Sequence, residues 1–544
     1  MKLMPVSLSV RGLVLPAFAL LLSACATGPT HDLLIMGGTL YDGTGAAPRP
    51  ATVAIDGDTI TAVEGAGKRL KGRRIIDATG LAVAPGFIDP HSHVPESIGQ
   101  MPGAFLDEQD LTQGVTTIMA GPDGAGSPAD IRAFHAEAAR RGSAVNHGCY
   151  VGHNGVRAAV MPGERRAATD DEIARMAAVV KEGMEMGCVG LSTGLMYDPG
   201  MYATEAEVQA LARAVKPFGG SYDTHTRDPG YRMLESETEA VRLGEATGVP
   251  VKLAHLKAVG LLNKGRIGEV IDMVEAAQGR GVSVVADQYP FDGATLRYIR
   301  ELFLLPNGKV PDDAALKAAL ADPAARESVR VATEQAVGGG FSWVKALGYG
   351  SMRIVDAPGA PELVDRNIEL LAKEWGLTPF DTFARLATDY RDVRLTLGSV
   401  DEGDIRTLMR RPWVMIASDG FYADAAILAA GKAHPRSWGS FTRVLGHYSR
   451  DIGLFPLEEA IRRMTSFPAD HLGLVDRGRI APAKAADIVI FDPKAVDARA
   501  TYLNPSAPSE GIRLVLVNGR EVLRDGKPSG ETPGRFLRRQ APAR

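Results

Sequence analysis

Short apolar runs alternate with longer helical segments through the middle of this chain. Eight runs of strand length occur in order, at 81–85, 114–120, 143–152, 188–192, 221–225, 249–255, 282–287 and 413–419. Segments with helical periodicity separate several of them, for example Asp171–Met186 and Leu234–Thr247. Repeated strand–helix units are typical of a parallel sheet. Eight of them predict an α/β fold with a (β/α)8 TIM-like barrel.

The two ends of the chain have a different pattern. Residues 31–85 and 487–522 consist of short strand-like runs separated by turns such as Gly-Gly and Asp-Gly, which is typical of antiparallel sheets. We therefore expect a small β-sandwich domain formed from both terminal segments, 25–85 and 471–527, around a barrel at 86–470. A mixed insertion at about 291–348 interrupts the barrel pattern, as functional loops often do. Residues 528–544 are rich in Gly, Pro and Arg, and we predict that they are disordered.

The first residues have the pattern of an export signal. Lys2 and Arg11 precede the apolar run Leu13–Leu22, which leads through small residues to Cys25. This order of charge, apolar core and small residues is that of a signal peptide, and the run is short for a membrane span. Residues 22–25, which end in Cys25, resemble the lipobox of bacterial lipoproteins, in which the cysteine carries the lipid. We expect removal of residues 1–24 and a membrane-anchored lipoprotein facing the periplasm; a plain secretory signal is the alternative.

Composition excludes several classes of partner. The chain of 544 residues is 45% hydrophobic and 23% charged, and its formal net charge is -4. No basic block indicates nucleic acid or an anionic membrane surface, so the only membrane contact expected is the lipid anchor. Three cysteines are too few for a disulfide framework. Cys149 and Cys188 are predicted to be buried free thiols because their neighbours are apolar, and the oligomeric state stays open.

Histidines and carboxylates follow the ends of the strand runs. The first run leads into Gly86–His93, where His91 and His93 are two residues apart and should point to the same side. In a barrel the carboxyl ends of all strands meet at one face. The residues expected to converge there with the histidine pair are Asp123, His225, His255 and Asp419. Imidazole and carboxylate groups in this number predict one or two zinc-like metal sites.

Longer motifs resemble one family. The order His-x-His, His, His, Asp along the predicted strands resembles the amidohydrolase superfamily, and the wider set of motifs is similar to its D-aminoacylase branch, the N-acyl-D-amino-acid deacylases. The matching stretches extend over roughly residues 31–520 and include Gly86–His93, Gly190–Tyr197, Ala254–Lys257, Tyr289–Phe291, Ala417–Gly420, His434–Arg436 and Met464–Ala469. The resemblance implies a barrel with a β-sandwich made from both termini.

One position departs from the family pattern. Asp123 stands where these relatives usually have a cysteine that binds the tighter metal. We expect zinc. Because a carboxylate is a harder ligand than a thiolate, manganese or cobalt, or two metals of similar affinity, are the alternatives. The other interpretation is that Asp123 is only a turn residue before Gly124, as aspartate often is before glycine.

The resemblance also implies an activity and the residues that perform it. The activity is hydrolysis of N-acyl-D-amino acids, or of dipeptides with a C-terminal D-residue, by metal-activated hydroxide. Asp419 would take the proton from water and pass it to the leaving amine, as general base and then acid. The residues expected to bind the substrate are Lys257, Tyr289, Thr295, Arg297 and Arg436, with Arg227 as a further candidate cation.

Two other functions stay open. A cyclic-amide hydrolase of the hydantoinase or dihydropyrimidinase type usually carries a carboxylated lysine at strand four, whereas the run Cys188–Gly194 contains no lysine. The second alternative is a catalytically lapsed, exported binding protein, because Asp123 departs from the usual ligand. Metal content separates this alternative from an enzyme.

Overall fold

The computed structural model describes residues 29–65, 67–93, 107–337, 341–390, 392–421 and 434–540. The side chains of Ala294 and Thr295 are also outside this description. The predicted signal segment 1–24 and the predicted lipidation residue Cys25 lie outside the described residues. Within the described ranges, no helix is both long enough and apolar enough to cross a membrane.

Strands follow one another directly near both ends of the chain and alternate with helices in the middle. They are β1 (Thr30–Met36), β2 (Thr39–Leu40), β3 (Arg49–Asp56), β4 (Thr59–Gly65), β5 (Lys71–Asp77), β6 (Ala82–Pro85), β7 (Phe87–Asp89), β8 (Val115–Ala120), β9 (Asn146–Cys149), β10 (Val151–Gly152), β11 (Gly190–Gly194), β12 (Ser221–His225), β13 (Val251–Leu253), β14 (Val284–Gln288), β15 (Gly293–Tyr298), β16 (Met352–Asp356), β17 (Arg394–Gly398), β18 (Val414–Ile416), β19 (Ile488–Phe491), β20 (Ile512–Val517), β21 (Arg520–Arg524) and β22 (Lys527–Pro528).

The helices connect the middle strands. They are α1 (Glu108–Leu111), α2 (Pro128–Arg141), α3 (His153–Val160), α4 (Asp170–Glu185), α5 (Glu205–Val215), α6 (Met233–Thr247), α7 (Ile267–Gly279), α8 (Asp313–Ala321), α9 (Pro323–Gln335), α10 (Trp343–Leu347), α11 (Ile368–Trp375), α12 (Pro379–Asp389), α13 (Glu402–Met409), α14 (Arg436–Arg443), α15 (Leu457–Met464) and α16 (Ser466–Leu472). A π-helix, Val444–Asp451, continues α14. Short 3-10 helices are Gly200–Tyr202, Lys216–Phe218, Ile299–Leu302, Tyr349–Ser351 and Pro361–Leu363.

Helix α4 illustrates how the sequence determines these elements. Thr169 accepts a hydrogen bond from the backbone N–H of Glu172, and the Glu172 side chain accepts one from the backbone N–H of Thr169. This reciprocal pair satisfies donors that the first helical turn leaves free. Met176, Val180 and Met184 recur every four residues and are buried in the core shared with the parallel strands, so the apolar stripe fixes which face of the helix packs.

The middle strands form two parallel sheets that follow chain order. One contains β7, β8 and β9, and the other contains β10, β11, β12, β13, β14 and β18. Only Tyr150 separates β9 from β10, so one stretch of chain takes part in both sheets. At the other edge Ser92 and Gly420 form a parallel bridge, and the His93 N–H donates to Gly420 O at 2.8 Å. This order and direction are those of a TIM-type barrel.

Strands from both terminal segments share one sheet. Its order is β22–β21–β20–β19–β6–β2–β3–β1–β5, with β4 paired to β3. β6 lies between β2 from the first segment, in parallel pairing, and β19 from the last, in antiparallel pairing. Side chains from both segments, such as Ile55 and Ile490, belong to one buried cluster. Neither segment therefore completes its core without the other.

The insertion after β14 is longer than the predicted range of about 291–348. β15, β16 and β17 form an antiparallel sheet of their own, which continues to Gly398. Phe303, Phe383 and Leu395 belong to a buried cluster distinct from that of the parallel strands. The insertion is therefore a small subdomain with its own core. Helices and strands of the insertion continue beyond residue 348. The sequence pattern therefore did not show where the insertion ends.

Cys149 and Cys188 form a disulfide, and the prediction of free thiols is wrong. Cys149 ends β9, Cys188 lies just before β11, and the Val189 N–H donates to Cys149 O at 2.8 Å. The two segments are adjacent, with 4.7 Å between the Cα atoms of the cysteines. Apolar neighbours indicated burial, but the sequence did not show that strand order brings the two thiols together.

The C-terminal residues are ordered as far as the described residues extend, so the predicted disorder of 528–544 is wrong for 528–540. Pro533 and Phe536 form parallel bridges with Ser143 and His147, and the Leu537 N–H donates to His147 O at 2.8 Å. The polar, proline-rich composition did not indicate an ordered segment. One buried leucine and a few backbone hydrogen bonds are enough to anchor it, and composition does not show them. The side chains packed with Leu537 are Ile88, Met119, Tyr150, Val189, Ala469, Leu472 and Leu474.

Replacing Leu537 by alanine is expected to destabilise the fold. The Leu537 side chain is 8% exposed and contacts both the parallel strands and α16. Truncation of a buried leucine lowers the free energy of unfolding by about 2–5 kcal/mol, because it removes contacts and leaves a cavity. Urea-induced unfolding measures the change, with the exposed Gln540→Ala as control. Equal unfolding free energies for the two variants would contradict the packing of this segment.

Candidate metal centre

Four histidines and two aspartates lie together beyond the ends of the parallel strands. His91 and His93 follow β7, which ends at Asp89, so the pair lies past the strand rather than on it. Their rings nevertheless converge, with 5.3 Å between centroids. The structure brings all six predicted metal ligands into one group. The other members are Asp123 after β8, His225 at the end of β12, His255 after β13 and Asp419 after β18.

Asp123 lies at the centre of this group. Its carboxylate oxygens are 3.5 Å from His91 Nε2 and 3.6 Å from His93 Nε2. They are also 3.3 Å from both His225 Nδ1 and His255 Nε2. One carboxylate therefore faces two pairs of imidazoles, which is more than a turn residue before glycine requires.

Asp419 faces the first histidine pair and an arginine. Its Oδ1 atom is 3.2 Å from His93 Nε2 and 3.6 Å from His91 Nε2, and its Oδ2 atom is 2.7 Å from Arg436 Nη1. Burial opposes the charge of Asp419, but the Arg436 guanidinium and the nearby histidines outweigh burial and lower the pKa of this carboxyl well below its usual value. The group is therefore anionic at neutral pH.

Three of the six residues adopt the left-handed backbone conformation. The φ angle is 53° at Asp123, 35° at His255 and 50° at Asp419. Residues other than glycine are uncommon in this region, and holding them there costs free energy. The neighbouring strand supports the turn before Asp123, because Ser192 Oγ in β11 donates to Gly121 O at 2.5 Å. Such supported, strained turns are typical of functional sites.

The group fits a bound divalent cation. His91 Nε2 and Asp123 Oδ1 are buried without a hydrogen-bond partner. Ligand atoms of His91, Asp123, His255 and Asp419 all lie within 4.8 Å of one another. Burial lowers the pKa of His91 to about 3, so its ring is neutral at pH 7, which is the form that binds metal. Imidazole and carboxylate donors suit zinc.

A cavity of about 520 Å³ opens beside this group. Lys257 and Arg436 both lie over the ring of Tyr289, 5.1 and 4.9 Å from its centroid, and Arg297 lines the same cavity. The cavity therefore has a cationic side next to the candidate metal ligands. Its apolar wall includes Met196, Tyr197, Val259, Phe341, Trp343 and Phe421.

Four of the five predicted substrate-binding residues reach this cavity. They are Lys257, Tyr289, Arg297 and Arg436. Lys257 Nζ donates to His255 O at 2.7 Å and lies 2.9 Å from His255 Nδ1. Lys257 follows the end of β13 by four residues, so this contact with His255, rather than strand alternation, directs it to the site.

The other two candidates have different outcomes. Thr295 lies in β15, and its side chain is outside the described residues. Arg227 is directed to Glu239, with 2.8 Å between Nη2 and Oε1. Arg227 therefore forms a structural ion pair and is not among the residues that line the cavity.

Sequence reasoning missed three buried groups beneath the site. Asp89 accepts hydrogen bonds from the backbone N–H groups of His91 and Ser418, both at 3.1 Å, and so joins the segments that follow β7 and β18. Lys252 and Asp287 form a second buried contact. A lysine inside the apolar run Val249–Leu253 was the available signal, because a charge there must have a buried partner.

Comparisons with known proteins agree with this geometry. A model of the amidohydrolase family matches residues 74–281 and 403–523. The chain is 34% identical over 536 residues to D-aminoacylase from Alcaligenes xylosoxydans xylosoxydans, which covers 94% of this chain and 98% of that protein. It is 31% identical over 531 residues to N-acyl-D-glutamate deacylase from the same organism, which covers 94% of this chain and 97% of that protein.

A solved structure is similar over the same length. It is N-acyl-D-glutamate deacylase from Bordetella bronchiseptica, complexed with zinc and a phosphonate inhibitor that mimics the tetrahedral intermediate of the reaction. The TM-score is 0.74 and the sequence identity 29%, over 94% of this chain and 100% of that chain. The similarity therefore includes the terminal sheet as well as the parallel strands.

Proposed function

Because this chain belongs to the amidohydrolase family, we propose that it is a metal-dependent hydrolase of linear amide bonds that removes the acyl group from N-acyl-D-amino acids. Dipeptides with a C-terminal D-residue are the second substrate form, because they present the same amide and carboxylate. One observation carries the proposal: five of the six candidate ligands line a cavity whose cations Lys257 and Arg436 face the same aromatic ring, and His91 is buried behind them.

The ligand set proposed for the metal comprises His91, His93, Asp123, His225, His255 and Asp419. The central position of Asp123, between two histidine pairs, would let its carboxylate take part in holding one or two divalent ions. Zinc is the proposed ion, and the zinc in the Bordetella relative supports it; manganese and cobalt are alternatives. When bound, a divalent ion lowers the pKa of water and polarises the amide carbonyl.

Asp419 is the proposed general base and acid. It is held anionic beside Arg436, so it accepts a proton from the attacking water. It then gives this proton to the amide nitrogen, which would otherwise have to leave as an anion and now leaves as the neutral amine. One carboxylate between water and leaving group is sufficient for both transfers.

Lys257, Arg436 and Tyr289 are proposed to bind the free carboxylate of the substrate, with Arg297 and Thr295 as further contacts. Arg436 already neutralises Asp419, so Lys257 is the cation whose charge is most available for a substrate. Burial lowers the pKa of Lys257 to about 8, which leaves it largely protonated at pH 7. The neighbouring apolar wall suits the remainder of the substrate.

A Lys257→Met variant is expected to bind substrate more weakly. Loss of one charge-assisted hydrogen bond costs about 1.5–3 kcal/mol, which corresponds to roughly a 10–100-fold higher KM. The measurement compares an N-acetyl-D-amino acid with its carboxamide: the wild type should prefer the acid, and the variant should lose this preference. Lys264→Met, an exposed lysine paired with Asp401, is the control. An unchanged preference in Lys257→Met would remove this residue from carboxylate binding.

The proposal is tested with a panel of substrates. N-acetyl-D-amino acids, their L-enantiomers and dipeptides ending in a D-residue are assayed for amine release with zinc, manganese or cobalt added separately. We expect release from the D-compounds. Equal rates on matched enantiomers would contradict the D-specific proposal.

Two other outcomes separate the alternatives. Hydrolysis of cyclic amides only would support a hydantoinase-like enzyme, which the structure disfavours because Ser192, and no lysine, lies in β11 beside the metal group. Absence of stoichiometric metal in protein purified without chelator would support a binding protein.

We also propose that the two parallel sheets are one closed (β/α)8 barrel, and that the terminal sheet is a sandwich folded over a shared core. The chain passes from β9 in one sheet directly into β10 in the other, which supports closure of the barrel between these two strands. The hydrogen bond from the His93 N–H to Gly420 O supports closure at the other edge. The buried cluster shared by both terminal segments supports the sandwich.

Export as a lipoprotein is part of the proposal. The sequence before Cys25 supports it, and so does the disulfide between Cys149 and Cys188, because such bonds persist mainly in oxidising compartments. A Cys25→Ala variant is expected to move from the membrane fraction to the soluble fraction. The double variant Cys149→Ala/Cys188→Ala is the control and should remain with the membrane. Retention of Cys25→Ala in the membrane fraction would rule out the lipid anchor.

A further inference from the structure

A buried lysine lies beneath the candidate metal centre, and the proposed mechanism does not use it. Lys252 is in the middle of β13 and is 0% exposed. Its Nζ atom is 3.0 Å from Asp223 Oδ1, donates to Pro90 O at 3.1 Å, and donates to Asp287 Oδ2. These partners come from β12, β14 and the segment after β7, so this ammonium joins three neighbouring parts of the barrel-like sheet.

The charges of this cluster hold each other in place. Burial opposes the charge of Lys252, but attraction to Asp223 and Asp287 outweighs burial and raises the pKa of the lysine well above its usual value. Burial also acts on Asp287, yet Lys252 outweighs it and lowers the pKa of that carboxyl. Burial raises the pKa of Asp223 to about 7. Lys252 therefore lies between the two carboxylates, with its ammonium in contact with both.

Asp287 in turn contacts two of the proposed metal ligands. Its Oδ1 atom accepts a hydrogen bond from the backbone N–H of His255 at 2.5 Å, where φ is 35°. Its Oδ2 atom is 3.9 Å from His91 Nδ1, on the side of the ring opposite Nε2, which faces Asp123. This separation is too long for a hydrogen bond, but the negative charge on this side of the ring attracts Nδ1–H and favours the orientation in which Nε2 faces the other candidate ligands.

We propose that Lys252 is a positioning residue for the metal centre, which acts through Asp287 on His91 and His255. The ammonium holds the Asp287 carboxylate in place. Asp287 then supports the left-handed turn at His255 through its hydrogen bond and attracts the His91 ring. The ammonium also lies among His91, Asp223 and Asp287, three groups close enough together to hold a cation themselves. The inference rests on the proposed function in one respect, namely that His91 and His255 hold the metal.

The test is the zinc affinity of Lys252→Met in the mature full-length protein. Methionine keeps the approximate length and removes the charge. Because partners of metal ligands affect affinity by about 10–100-fold, we expect zinc dissociation constants larger by that factor, measured by competition with a chromophoric chelator. The visible spectrum of the cobalt-loaded protein should change as well, since it reports ligand geometry.

Arg157→Met is the matched control. Arg157 is also 0% exposed and forms a buried ion pair, with 2.6 Å between Nη1 and Glu207 Oε2, away from the cavity. The Arg157→Met substitution should lower the unfolding temperature, as Lys252→Met should. Unlike Lys252→Met, it should leave zinc affinity and the cobalt spectrum unchanged. Wild-type affinity and spectrum in a folded Lys252→Met protein overturn the inference.

If Lys252→Met does not fold, the double variant Lys252→Met/Asp223→Asn is measured instead. It removes one positive and one negative charge, so it lowers the cost of an unpaired buried carboxylate. Weaker zinc binding supports the inference, and wild-type binding overturns it. A wild-type protein that binds zinc but hydrolyses none of the panel refutes the proposed function alone; one that binds no zinc refutes both.

Discussion

An Asp419→Asn variant is expected to keep its fold and to lose most of its turnover. Asparagine tolerates the left-handed conformation that position 419 adopts, with φ of 50°, so the backbone should not change. An amide accepts no proton from water, and loss of a general acid–base group lowers kcat by about 10²–10⁴-fold. Steady-state kinetics on an N-acetyl-D-amino acid measure this loss, and metal analysis of the same sample separates proton transfer from metal loss.

Asp525→Asn is the control for this substitution. Asp525 is exposed and also has a positive φ, of 48°, but lies in the turn after β21. It should leave kcat unchanged. Near-normal turnover in Asp419→Asn, with full metal content, would remove this carboxylate from the mechanism.

An Asp123→Asn variant is expected to lose metal as well as activity. The carboxylate faces four imidazoles, and removing its charge removes the acceptor shared by both histidine pairs. Even partners of metal ligands affect affinity by about 10–100-fold, so we expect a loss of at least about 100-fold in zinc affinity for a ligand itself. Metal content after gel filtration and the zinc dissociation constant are the measurements.

The same Asp525→Asn protein is the control for metal content. Full zinc occupancy and wild-type activity in Asp123→Asn would support the other interpretation of this residue, a turn residue with no role in binding. Loss of one metal equivalent with the other retained would place Asp123 on one of the two positions only.

The candidate site was predictable because barrel geometry fixes where strand ends meet. His225 and Asp419 are far apart in sequence, but both follow parallel strands, and this alone places them together. The central position of Asp123 was not predictable, because it depends on a left-handed turn that Ser192 of another strand supports.

Features that depend on packing between distant segments were also missed. Lys252 lies in an apolar run and its partners lie on two neighbouring strands, so only the strand order identifies them. The same holds for the disulfide, which depends on the end of β9 lying beside the residues just before β11. Composition misled at the C-terminus, where the buried Leu537 and backbone bonds to distant segments anchor a polar, proline-containing stretch.

The pairing of β6 with β19 has a consequence for how the chain is made. Pro85 lies opposite Ile488, so the first strands leave the ribosome long before their partner is synthesised. Contacts over such sequence separations form late and slow folding. The N-terminal strands therefore cannot complete their sheet until translation has almost ended, and until then their apolar edges stay exposed.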